Sequence, residues 1–221
     1  MKSIFVVLFV FLGLTLQAGQ KQEKIIYKSV NILNSMMKIP EKSIPPKLLR
    51  EAKAVAIIPN VIKAGFVVGG RFGRGVLLVR QKNGTWSPPC FINLTGGSIG
   101  WQIGIQSTDI VLVFKNRSGV DGIVSGKFTL GADAAVAVGP VGRNALAATD
   151  GSFSAAIYSY SMSKGLFIGV SLDGSALSVN DDYNEIYYKK EVSPTDIFNR
   201  YHIVVPKSAN VLINTLVRYV R

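Results

Sequence analysis

Few groups in this 221-residue chain could do covalent or metal chemistry: one histidine, His202, one cysteine, Cys90, and one serine in a nucleophile-like setting, Ser98. Gly96-Gly97-Ser98-Ile99-Gly100 has the G-x-S-x-G spacing of a nucleophile elbow, and aspartates and then His202 follow it in the order Ser, Asp, His. The elbow needs a sharp turn into a helix directly after the serine. Here Ile99, Trp101, Ile103 and Ile105 alternate with Gly100, Gln102, Gly104 and Gln106, which continues a strand. Ser98 therefore reads as a small residue in a bend. Nothing local would activate Cys90, which sits beside Pro89 and reads as a small buried residue. A lone cysteine also excludes an intramolecular disulfide.

Phosphate and metal motifs fail in the same way. Gly70-x-x-Gly73-x-Gly75 has the wrong order for a dinucleotide fingerprint, and a strand follows it. Gly126-Lys127 is followed by Phe128 where a phosphate loop requires Ser or Thr. One His and one Cys cannot assemble a soft-ligand metal site, and no aspartate run has calcium-loop spacing. The expectation is a non-enzymatic protein with no cofactor and no metal.

The charge is informative: the net formal charge is +12. Such a balance suits an anionic partner, either phospholipid headgroups or nucleic acid, although plain solubility would also account for it. No Lys/Arg run is interleaved with aromatic residues for base stacking, so nucleic acid is not expected.

At the N-terminus, Met1-Lys-Ser precedes an apolar run from Ile4 to Leu16, and Gln17-Ala18 follows. That is the layout of a secretory signal peptide over residues 1–18, with cleavage after Ala18. The run is short for a membrane span, which needs about 20 apolar residues. The remaining 200 or so residues suffice for one domain. Export is thus expected, which also argues against nucleic acid.

Ile26, Val30, Leu33 and Met37 recur at helical spacing, widened by Ile25, Ile32 and Met36, and predict an amphipathic helix over 22–38. Pro40 stops it, and Pro45-Pro46 opens a short helix reaching Ala52. Residues 19–53 thus form an N-terminal helical segment. From Ala54 the signal is β: 54–58, 66–69, 76–80 and 110–114 are short apolar or β-branched runs, with Asn83-Gly84 as a tight turn. Phe128 to Val138 alternate as one strand, as do Phe153 to Ile157 and Leu166 to Leu172. Helices are expected at 118–125, 194–201 and 208–220, the last capped by Ser208. Recurrent glycine inside strands costs stability and implies bulges, coiling or close backbone approach. The fold class is α+β: N-terminal helices, a strongly curved antiparallel sheet capable of closing into a small barrel, and C-terminal helices.

Five phrases recur in order through this β region: Gly69-Gly-Arg-Phe-Gly-Arg-Gly75, Trp86-Ser-Pro-Pro89, Gly96-Gly-Ser-Ile-Gly-Trp-Gln-Ile-Gly104, Leu130-Gly-Ala-Asp-Ala-Ala-Val-Ala-Val-Gly-Pro-Val-Gly-Arg143 and Ser159-Tyr-Ser-Met-Ser-Lys-Gly-Leu-Phe-Ile-Gly-Val-Ser-Leu-Asp-Gly174. Together they resemble the SYLF domain, a lipid-binding domain of membrane-trafficking proteins and of many secreted bacterial proteins. The resemblance runs from about Tyr27 to Tyr219, so residues 54–221 would be its β-rich body, in one globular unit with 19–53.

The resemblance implies membrane binding. In that family an amphipathic N-terminal segment takes part, and here Lys24, Ile25, Ile26, Lys28, Val30, Leu33, Met36 and Met37 occupy its place. An apolar stripe would enter the acyl boundary while lysines meet headgroups. The same stripe would serve equally to pack the helix on the sheet. A second, basic candidate surface comprises Arg71, Arg74, Lys127, Arg143 and Lys164. The expected partner is an anionic phospholipid surface. Actin is not expected as a partner of an exported chain, despite its association with the family. The alternatives are an envelope assembly protein that binds another protein, and a lipid carrier with an internal pocket.

Overall fold

The computed structural model describes residues 19–38, 43–126, 128–141 and 155–220, with backbone alone for 66–68 and 98–105. The expected signal peptide, Lys127, Arg143 and Phe153 lie outside the described residues.

Helix α1 spans Gln20–Met37 and α2 spans Pro46–Glu51, the latter with its proline in the first turn. Two long strands follow, β1 (Ala54–Val79) and β2 (Cys90–Phe114), paired antiparallel along nearly their whole length. The separate short strands expected from the sequence are therefore stretches of two continuous ones. The register shifts between Ile58 and Val61 and again between Gly65 and Val67, and these bulges broke the period that the sequence displays. At the first bulge Asn60 adopts φ 51°, a left-handed value that asparagine tolerates. Its N–H donates to Asp109 Oδ1 at 2.9 Å. The connection turns at Asn83-Gly84 as expected, where the Gly84 N–H donates to Gln81 O at 2.9 Å and Gly84 has φ 82°.

The rest of the chain builds on β2. After α3 (Ser118–Val124) come β3 (Phe128–Thr129), β4 (Val136–Val138), β5 (Ile157–Ser163), β6 (Leu166–Ile168) and β7 (Ser175–Val179). On the side away from β1, the first part of β2 pairs with β7 and its last part with β5. The β4–β5 pair is parallel, so the sheet is mixed rather than wholly antiparallel. Among the described strands β1 pairs only with β2, which leaves a strongly curled half-barrel instead of a closed one. The expected single strand from Phe128 to Val138 is broken. Asp133 Oδ2 accepts the Thr129 N–H at 2.6 Å and turns the chain, a side chain outcompeting the ladder. The run from Leu166 to Leu172 is strand only to Ile168.

Three helices complete the chain: α4 (Asp181–Tyr188), α5 (Pro194–Asn199) and α6 (Lys207–Val220). The first was not foreseen, although Asn180 caps it by accepting from Tyr183 N at 3.0 Å. Ser208 does not cap α6. It lies buried in the first turn, and its hydroxyl pairs with Tyr187 Oη at 2.8 Å.

Both faces of the β1–β2 hairpin are buried. One carries Val55, Ile57, Val76, Leu78, Phe91, Val111 and Val113 against α1, α2, α4 and α6. The other carries Ala56, Ile58, Leu77, Ile92, Leu94, Ile110 and Leu112 against α3, Phe128, Leu172 and Leu177. Strands covered on both sides have no polar face, which is why 54–58 and 110–114 read as unbroken apolar runs.

Helix α1 belongs to this core. Ile26 and Leu33 are wholly buried, Val30 and Met36 nearly so, and α1 packs against β1 and α6. Tyr219 Oη donates to Asn34 Oδ1 at 2.8 Å and ties α6 to α1. Of the two roles open to the stripe, packing on the sheet is the one the fold uses.

Candidate functional site

The candidate site starts with the first glycine phrase. Alternation puts Gly69, Arg71, Gly73 and Gly75 on one face of β1. A Cβ on Gly73 would come within 2.8 Å of the side chains of Ile58 and Val61, and one on Gly75 would overlap the backbone of Ile57. The strand is folded so sharply that its second half lies against its first. Glycine is required where the two halves touch. Arg71 is the one side chain on that face of the phrase, and it emerges at the corner.

There it lines a cleft of about 450 Å³ between the bent hairpin and the segment from Ile168 to Asp173. Arg71 is only 8% exposed. In register it stands opposite Gly96, which stands opposite Ser175, so the three form one row across β1, β2 and β7. Two strand spacings are about 10 Å, a span the guanidinium covers because the middle position has no side chain. Its Nη1 donates to Ser175 Oγ at 3.0 Å. Burial pushes the Arg71 pKa below its usual value, and the nearby Asp173 carboxylate pushes it back up. A guanidinium remains charged through such shifts. A cation with five N–H donors and, among the described residues, one side-chain acceptor thus faces the cleft.

Lys63 adds a second cation to the lining, and Gln106, Thr108 and Ser171 supply neutral polar groups. Val61, Ile110, Ile168 and Val170 supply apolar wall. Ile168 is 37% exposed, and Leu166, on the same face of β6, is 69% exposed. The cleft therefore joins two cations and the Asp173 carboxylate to an apolar wall that continues into the exposed face of β6. Ser161 stands opposite both Ile110 and Ile168, and its buried hydroxyl has no hydrogen-bond partner among the described residues.

The expected site residues do not form one patch. Arg74 points to the opposite face from Arg71, where its guanidinium lies 4.9 Å from the Phe72 ring and 5.1 Å from the Tyr183 ring. Lys164 tips the β5–β6 hairpin with φ 49°. Lys127 and Arg143 lie outside the described residues. Lys24 is exposed on α1, and Lys28 donates to Asn60 Oδ1 at 3.3 Å. Ile25 and Met37 are half-buried at the edge of the core that takes Ile26, Val30, Leu33 and Met36. Of the described members of the expected set, only Arg71 lies in the cleft. Lys63 and Asp173 were missed, although Asp173 stands inside the last of the five phrases.

A second hollow, of about 510 Å³, lies at the hairpin turn and is lined by Lys82, Arg117 and Arg200. Its guanidinium groups are engaged in holding loops together. Arg117 Nη2 donates to Arg80 O at 2.6 Å and Arg200 Nη2 to Trp86 O at 3.2 Å.

The residues first considered for catalysis are placed elsewhere. Gly96–Gly100 lies within β2, so no elbow forms at Ser98. Cys90 is fully buried, accepts from Asn184 Nδ2 at 3.5 Å, and has its thiol pKa pushed up by burial to about 12. His202 is exposed in a turn. Among the described residues no three His, Cys, Asp or Glu side chains gather as metal ligands.

The chain matches a family model described as Ysc84, Las17-binding protein actin regulator, over residues 95–219. It is 37% identical to Protein YSC84 of Saccharomyces cerevisiae over 197 residues, which are 86% of this chain and 42% of that protein. It is 41% identical to LAS seventeen-binding protein 3 of the same yeast over 169 residues, 73% of this chain and 37% of the relative. Against human SH3 domain-containing YSC84-like protein 1 the identity is 38% over 176 residues, 77% of this chain and 51% of the relative. The chain spans about half or less of these relatives' length.

Proposed function

The chain belongs to the Ysc84 (SYLF) family, and from that premise we propose that it is a non-enzymatic phospholipid-binding domain that associates peripherally with anionic membrane surfaces. The observation that carries this reading is the cleft, where the buried Arg71 and the half-buried Lys63 share a lining with Ile168, and Leu166 extends that exposed apolar lip outside the lining. Such a lip can enter the headgroup–acyl boundary while the cations below it meet a phosphate. The net charge of +12 draws the whole domain to an anionic surface, each cation near it contributing about 1 kcal/mol. Export is proposed on the strength of the N-terminal apolar run from Ile4 to Leu16, and a bacterial cell envelope on the resemblance to secreted members of the family.

Co-sedimentation with vesicles of neutral or anionic phospholipid, at low and high salt, tests the proposal. Binding to anionic vesicles that weakens with salt is expected, because exposed charges are screened within about 10 Å at 0.1 M salt. Binding to neutral phosphatidylcholine vesicles equal to that on anionic ones, or none to either, would remove the basis of the reading.

A protein partner is the second reading, favoured by the matched description and by a relative's name, which speak of Las17 binding and actin regulation. The expectation that actin is not a partner has no support in these similarities. Co-sedimentation with filamentous actin in the absence of lipid discriminates the two readings.

A further inference from the structure

The cleft carries charge of both signs at separate places. Arg71 and Lys63 line it from β1, and Asp173 lines it from the loop before β7. Arg71 and Asp173 act on one another electrostatically, yet no ion pair joins them among the described residues. Each is held by something else. Arg71 is held by Ser175. Asp173 Oδ2 accepts from Ser171 Oγ at 3.0 Å, and the Asp173 N–H donates back to Ser171 Oγ at 3.4 Å. On the other side is Gly131, with φ 88°, where a Cβ would come within 2.6 Å of Asp173 Oδ1. The carboxylate is thus fixed in a slot that a glycine keeps open, beside a cation it does not neutralise by contact.

A purely anionic ligand would gain at Arg71 and Lys63 and lose by repulsion at Asp173. A ligand with a phosphate and a protonated amine a few bonds apart gains at both ends. Resting on the lipid reading above, we propose that the cleft takes the phosphoethanolamine headgroup of a phospholipid, with its phosphate on Arg71 and Lys63 and its ammonium on Asp173. A primary ammonium has N–H donors for that carboxylate. The quaternary ammonium of choline has none and is ordinarily recognised by an aromatic cage. Among the described residues no aromatic side chain lines this cleft. Net positive charge brings the domain to the surface, and the cleft selects among the headgroups there.

The test uses water-soluble headgroups, which removes effects of membrane packing: NMR titration of the protein with glycerophosphoethanolamine, glycerophosphocholine and glycerophosphoglycerol. Shifts at Arg71 and at 171–175 are expected. The ethanolamine form should bind about fivefold tighter than the choline form, the scale of one partly exposed ion pair. Asp173→Asn should abolish that preference while glycerophosphoglycerol binds as well or better. Lys63→Gln should weaken all three. Asp173 is exposed and Lys63 half-buried, and unchanged thermal melting would confirm that both variants are folded.

Three results would overturn the proposal: no preference for ethanolamine in the native protein, an Asp173→Asn variant that strengthens all three ligands alike, or shifts confined to other surfaces. The lipid reading is separable. Salt-sensitive binding to phosphatidylglycerol vesicles with no headgroup preference would sink this inference and leave that reading standing. Failure on vesicles of every composition would sink both.

Discussion

Leu33→Ala separates the two roles open to the N-terminal helix. Leu33 is wholly buried on α1, in one cluster with residues of β1, α2 and α6. Truncation removes its transfer free energy and leaves a cavity that its neighbours, themselves on regular elements, can only partly fill. Substitutions of this kind cost about 2–5 kcal/mol. A protein of this size has a urea dependence of about 2 kcal/mol/M, so the unfolding midpoint should fall by about 1–2.5 M. The assay is urea unfolding followed by circular dichroism, paired with vesicle co-sedimentation without denaturant, where the variant is still folded. A large loss of stability with vesicle affinity unchanged is expected, because the cleft lies on other elements. An unchanged midpoint together with lost vesicle binding would refute the reasoning and return the stripe to the membrane.

Two further outcomes test the fold around the site. Gly75→Ala, whose new methyl would overlap the Ile57 backbone, should cost about 1–3 kcal/mol or more, whereas Gly70→Ala, with open space around it, should be neutral; paired melting curves check this. The Cys90 thiol, with its pKa raised to about 12, should resist a thiol reagent at pH 8 until the protein unfolds. A raised folded pKa means that the folded state holds the proton more tightly, so this stabilising contribution is complete below the ordinary thiol value of 9.0 and is lost as pH climbs toward 12. Denaturant midpoints measured across that window should fall, and less steeply in Cys90→Ala.

What was legible in the sequence is what local chemistry controls. Proline at position 46 and the Asn83-Gly84 turn each marked a boundary that the fold keeps, whereas Ser193, which caps α5, went unread. What was not legible depends on the chain meeting itself. The bulges at 58–61 and 65–67 shift the side-chain period, so two continuous strands looked like several. Helix α4 is eight residues long and carries three tyrosines, which favour strands, so its Asn180 cap was the one clear sign of it. Within the site, Arg71 was readable because a cation among glycines is conspicuous. Lys63 and Asp173 were not, because they are brought to it by strand bending and by a loop.

The five phrases gain a common physical meaning from the way they meet. The first folds β1 on itself and leaves Arg71 at the corner. The third contributes Gly96, over which Arg71 reaches Ser175. The fourth contributes Gly131 and the fifth Ser171 and Asp173, which together fix the opposing carboxylate. The second places Trp86 under Arg80, its ring 5.0 Å from the guanidinium, and so closes the hairpin that carries the others. Glycines that cost the strands stability would be expendable if the sheet alone mattered, since a straighter hairpin would bury as much apolar surface with less strain. They are intelligible as the means of bending a sheet around one buried cation. A variant with the bend and without the cation, Arg71→Gln, should therefore keep the fold and lose the ligand. If it instead unfolds, the arginine is a strut for Ser175, and the cleft is a by-product of the curl.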